Sequence, residues 1–92
     1  MNESQLTRKI LKAVRIHHPD VWIYKTNDRF TSGIPDLIGS KNGRFFAIEI
    51  KIPKGKLSKI QAYVLEQIIN SGAEIIVAHS VSEVMNFLKG GD

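Results

Sequence analysis

The dipeptide Asn42-Gly43 lies between two apolar runs, residues 36–39 and 44–52. Asn-Gly readily takes the left-handed backbone of a tight hairpin turn, which commits the two runs to antiparallel pairing. Pairing then decides which residues meet. Asp36 and Glu49 stand six positions outward from Asn42 and Gly43 respectively, the symmetry that brings two side chains level across a hairpin. Ile48, Ile50 and Ile52 alternate along the second run, so Ala47, Glu49 and Lys51 share its other face.

The remaining elements can be read around this hairpin. Residues 3–16 form a predicted helix: Leu6, Ile10, Ala13 and Val14 recur at helical spacing, Asn2 is available as N-cap, and His17-His18-Pro19 ends the pattern. Residues 21–26 alternate as a strand, and 27–33 hold the Asn, Asp, Ser and Gly of an exposed loop. Pro53 to Lys56 breaks the second hairpin strand. A helix over 58–71 follows, with Ile60, Val64, Leu65 and Ile68 inward and Gly72 at its end. Residues 75–78 read as a buried strand, parallel to a neighbour after the helical crossover. A capping box, Ser80-x-x-Glu83, then opens a last helix that carries Val84, Phe87 and Leu88 and stops at Gly90. The expectation is a single α/β domain over residues 1–92, an αβββαβ core with a C-terminal helix and a mixed central sheet flanked by helices.

Composition narrows the chemistry. The chain has no cysteine, which excludes disulfides and thiolate metal sites and leaves oxygen or imidazole as metal donors. No apolar run approaches the length of a membrane span, and Met1 to Lys12 is polar and charged rather than a secretory pattern. A cytoplasmic protein of a bacterial or phage-infected cell, not secreted and without a membrane partner, is therefore expected. A net charge of +4 and a pI near 9.6 suit a polyanionic partner.

Two carboxylates brought together at the edge of an apolar sheet repel one another and lose hydration, an unfavourable arrangement unless a cation sits between them. Mg2+ needs only one or two carboxylates, keeping waters and leaving positions for phosphate oxygens. Mn2+ is expected to substitute for it, and no nucleotide cofactor is implied. Lys51, on the same face as Glu49, is placed to orient a water or neutralise charge developing on phosphorus. Taken singly, Glu49 and Lys51 also fit an exposed charge pair, and Asp36 a turn residue. Their combination points to phosphodiester hydrolysis.

Three blocks, Gly33-Ile34-Pro35-Asp36-Leu37-Ile38, Phe46-Ala47-Ile48-Glu49-Ile50-Lys51 and Leu57-Ser58-Lys59-Ile60-Gln61, together resemble the motifs of the PD-(D/E)XK nuclease superfamily. The likeness is to the virus-type replication-repair nuclease (VRR-NUC) domain, and the element order is similar to that superfamily's restriction-endonuclease-like core. The resemblance implies Asp36 and Glu49 as metal ligands, the backbone carbonyl of Ile50 as a further ligand, Lys51 as the catalytic lysine and Gln61 completing the site. Gln61 also fits a capping box with Ser58. Glu3 matches an acidic residue that many members carry on the first helix at the metal or its water; it equally fits a carboxylate on the helix dipole.

Lys25, Arg29, Ser32, Lys54, Lys56 and Lys59 fall on loops and element ends adjoining these blocks, where they can hold DNA phosphates. Stand-alone domains of this kind resemble archaeal-type Holliday junction resolvases. The implied activity is a Mg2+-dependent endodeoxyribonuclease for branched DNA, in DNA repair, acting as a homodimer with Phe45 or Phe87 at the interface. Flap or plain duplex DNA as substrate, and a catalytically silent nucleic-acid-binding module, are the alternatives.

Overall fold

The computed structural model describes residues 1–90. Its elements run α1 (Glu3–His17), β1 (Trp22–Lys25), β2 (Leu37–Lys41), β3 (Arg44–Ile50), α2 (Lys59–Asn70), β4 (Glu74–Ala78) and α3 (Val81–Lys89). The order is the one the sequence predicts, in a mixed α/β arrangement. The four strands form one sheet in the order β1-β2-β3-β4. β1, β2 and β3 pair antiparallel, and β4 joins β3 in parallel after the α2 crossover. No described helix is long and apolar enough to cross a membrane.

The hairpin turn is built as its sequence requires, with Asn42 at φ 53° and Gly43 at φ 80°. β3 is an inner strand covered on both sides, with Phe46, Ala47, Ile48, Glu49 and Ile50 all buried. Phe46, Ile48 and Ile50 enter the main core with Leu6, Ile10 and Val14 of α1 and Val84 and Leu88 of α3. Burial of each such side chain stabilises the fold by roughly 1.5–3 kcal/mol. α2 covers the opposite face, resting on β4 and burying Leu65.

Several local expectations change. β3 ends at Ile50 rather than residue 52: the Lys51 amide makes the last ladder bond, to the carbonyl of Ala78 where β4 itself ends, and a turn closed by the Gly55 amide on the Ile52 carbonyl then takes the chain out of the sheet. Ile52 is consequently exposed, outside the core. α1 buries Leu11 where Ala13 was expected, and Asn2 with Gln5 forms a capping box. Ser80 caps α3, but Glu83 reaches past it to accept from the His79 amide at 2.7 Å. Phe87, expected at an interface, packs edge-on against the buried Phe46 ring at 5.9 Å. Ile60, expected inward on α2, is exposed, as are Tyr63 and Ile69. Residues 91 and 92 of the expected 1–92 domain lie outside the described residues.

Candidate active site

The β2–β3 ladder runs from Lys41 opposite Arg44 to Leu37 opposite Ile48. One step further outward sets Asp36 level with Glu49, as the count from the hairpin turn requires. Asp36 Oδ2 accepts from the Ile50 amide at 2.8 Å, so its side chain continues the hydrogen bonding where the strand ends. Its backbone is latched as well. The Thr26 amide donates to the Asp36 carbonyl at 3.0 Å, and the Thr26 hydroxyl donates to the Pro35 carbonyl at 2.6 Å. Thr26 is a positioning residue that sequence reasoning missed: its partners are nine and ten residues away, and only the loop's return to β1 brings them together.

Glu49 is 2% exposed. Its Oε2 accepts from Gln61 Nε2 at 3.1 Å and lies 3.8 Å from Lys51 Nζ. Its Oε1 is buried with no hydrogen-bond partner. Burial, reinforced by the Asp36 carboxylate beside it and opposed by the Lys51 ammonium, pushes the Glu49 carboxyl up to about 8. A buried carboxylate oxygen without a partner costs free energy. Asp36 and Glu49 would hold an oxygen-seeking cation, which would satisfy that oxygen and offset their repulsion. The donor set therefore fits a hard divalent ion.

Gln61 makes the capping contact and also reaches Glu49. Its Oε1 accepts from the Ser58 amide at 2.9 Å, closing the capping box, while its Nε2 holds Glu49. Lys51 is nearly enclosed, its side chain 12% exposed, and the turn at Gly55 lies against its stem. Glu3 is close enough for its charge to raise Glu49's proton affinity further. It does not complete a ligand cluster: among the described residues no three His, Cys, Asp or Glu side chains are grouped for a metal. Two carboxylates with carbonyl, water and phosphate oxygens meet the needs of Mg2+ without a third.

The expected phosphate-binding residues border this edge. Lys25 ends β1 opposite Leu37, next to Asp36. Arg29 and Ser32 are exposed on the loop that presses Gly33 against α2, where a Cβ would come within 2.8 Å of the Ile60 carbonyl at a φ of +84°. Lys54 and Lys56 flank Gly55 beside Lys51, and Lys59 opens α2; all three are exposed. His79 is held by Glu83, its ring Nδ1 3.3 Å from the carboxylate, in keeping with a capping role. Trp22 and Tyr24 are stacked on each other, centroids 6.1 Å apart, on an uncovered part of the sheet, and Phe30 is fully exposed.

An αβββαβ sheet that brings an aspartate, a glutamate and a lysine to one strand end defines a nuclease domain of the PD-(D/E)XK class. The family model for the VRR-NUC domain matches residues 1–82, and the chain belongs to the VRR-NUC family. A solved structure described as a VRR_NUC domain has the same fold, with a TM-score of 0.78 at 21% identity over 98% of this chain and 97% of that one. A search of curated proteins gave no significant match.

Proposed function

We propose that this nuclease domain is a divalent-cation-dependent DNA endonuclease that hydrolyses phosphodiester bonds in branched DNA, Holliday junctions included, as a homodimer. The observation that carries the reading is the orphaned, buried Oε1 of Glu49 beside the Asp36 carboxylate. Asp36, Glu49 and the Ile50 carbonyl would hold Mg2+ or Mn2+, with Glu3 acting through water. When bound, the cation supplies Lewis-acid polarisation of the phosphate and a more acidic water. Lys51, its Nζ 3.8 Å from Glu49, would orient the attacking water and offset negative charge on the phosphoryl oxygens. Gln61 fixes the Glu49 carboxylate, and the Ile50 amide fixes Asp36.

The dimer reading is supported by the face that α2 leaves bare. Trp22 and Tyr24 pair through Ser40 and Ile38 to Phe45 and Ala47, the same face as Glu49 and α2. Trp22, Tyr24 and Phe45 are exposed there, and Ile60 and Tyr63 are exposed on α2, an apolar area of the kind that marks a protein interface. A second copy would cover it and supply a second active site for the opposite strand. The test is Mg2+-dependent cleavage of a panel of four-way junctions, flaps and linear duplexes, with the protein's mass measured in solution. Junction cutting by a dimer supports the reading; no cleavage of any DNA refutes it.

A further inference from the structure

The outer surface of α1 carries a second concentration of charge, outside the cluster of Asp36, Glu49 and Lys51. Arg8, Lys12 and Arg15 follow one another at i, i+4 and i+7, with Lys9 beside them, and all four are exposed. That face lies opposite the stripe of Leu6, Ile10 and Val14 that enters the core. Glu3 is the only acidic residue of the helix, so α1 holds a net three of the chain's four positive charges, while α2 and α3 each balance one lysine with one glutamate. None of the four cations makes an ion pair among the described residues. Like charges three and four residues apart destabilise a helix, so the ridge opposes folding unless an anionic partner occupies it.

Its position says what that partner is. α1 begins at Glu3, beside Glu49, and runs away from the site, so the ridge extends from the catalytic edge. At 1.5 Å per residue, Arg8 to Arg15 spans about 10 Å, close to three base-pair steps of duplex. α1 packs with α3 on the face of the sheet opposite α2. Cations on α1 and those at Lys54, Lys56 and Lys59 therefore flank the site from two sides. An anionic membrane is the less fitting surface, because a membrane-bound helix inserts an apolar face and that of α1 is already in the core.

We propose that the Arg8-Lys12-Arg15 ridge of α1 is a nucleic-acid-binding track, which grips the phosphodiester backbone of the substrate arm leading away from the active site. This rests on the nuclease reading and adds a binding surface to it. The ridge sets affinity for the arm and carries no base-specific contact.

The test is fluorescence anisotropy of a labelled duplex of about 20 base pairs, without Mg2+, across about 50–200 mM salt. The variant combines Arg8→Gln, Lys12→Gln and Arg15→Gln. Affinity should fall about tenfold or more near 0.1 M salt, and the log–log salt slope should shrink by about two to three. Arg8→Lys with Arg15→Lys should bind like wild type. The triple variant should melt no lower than wild type, since like-charge repulsion has been relieved. An unchanged slope, the same loss per charge in Lys89→Gln on α3, or tighter binding to phosphatidylserine vesicles than to duplex would overturn the ridge. If wild type cleaves DNA with Mg2+ while the triple variant binds normally, the ridge alone fails. If wild type neither binds nor cleaves DNA, the nuclease reading fails with it.

Discussion

The Ile50 amide donates to Asp36 Oδ2 at 2.8 Å. A side chain here takes the place of a backbone partner just past the Leu37–Ile48 step of the ladder. The bond aims one carboxylate oxygen of Asp36 into the strand end and holds the group beside Glu49. The β-hairpin, and not a flexible loop, therefore fixes the separation of the two acids. Rigid placement of this kind is what metal-assisted hydrolysis requires of its ligands.

Loss of Lys51 should reduce turnover without unfolding the domain. Lys51→Ala should lower kcat by about 10²–10³, the usual effect of deleting one electrostatic stabiliser of a transition state. Single-turnover cleavage of a labelled junction measures it. A variant within twofold of wild type would remove Lys51 from the mechanism.

Glu49 makes the metal-free protein sensitive to pH. Its carboxyl is raised from 4.5 to about 8, so the folded state holds its proton more tightly than the unfolded chain does. The resulting stability is complete below about pH 4.5 and is lost as pH rises through about 8, by up to about 1.4 kcal/mol per pH unit. Urea titrations in EDTA should show the midpoint declining over that interval. Glu49→Gln, with no proton to lose, should decline less and exceed wild type at pH 8. Parallel declines in the two proteins would contradict the account.

Thr26→Val removes the hydroxyl that latches the Pro35 carbonyl and leaves the Thr26 amide bond to Asp36 in place. It should cost about 1–2 kcal/mol in denaturant midpoint analysis. Cleavage at saturating Mg2+ should fall more than stability predicts, because Asp36 is less well held. Equal activity would mean that the Ile50 amide alone suffices.

Replacing Tyr63 with Glu puts a charge among the exposed apolar side chains of α2, Ile60 and Ile69. Light scattering should find the variant monomeric where wild type is dimeric, with its helical content retained. A wild-type monomer, or a Tyr63→Glu dimer, would remove this face from the assembly.

Much of this arrangement is legible in the sequence because it is set locally. Asn42-Gly43 determines the turn, the turn determines the register, and the register makes Asp36 and Glu49 level. Gln61 shows its capping role in its spacing from Ser58, whereas its bond to Glu49 depends on where α2 crosses the sheet. Thr26 leaves no such trace, since a threonine ending a strand looks the same with or without a latch. The end of β3 is misread because Ile52 extends the alternation of Ile48 and Ile50 beyond Ala78, where the partner strand β4 has already ended. Ile60 and Tyr63 have the spacing of a buried stripe, and spacing does not distinguish a face covered by the sheet from one left open.

If Asp36 and Glu49 together hold a divalent cation, calorimetric titration of Mn2+ into the protein near pH 8 will register it. Wild type should bind with release of a proton from Glu49, and Asp36→Asn and Glu49→Gln should each abolish the binding while remaining folded. Undiminished Mn2+ binding by both variants, or none by wild type, would contradict the account.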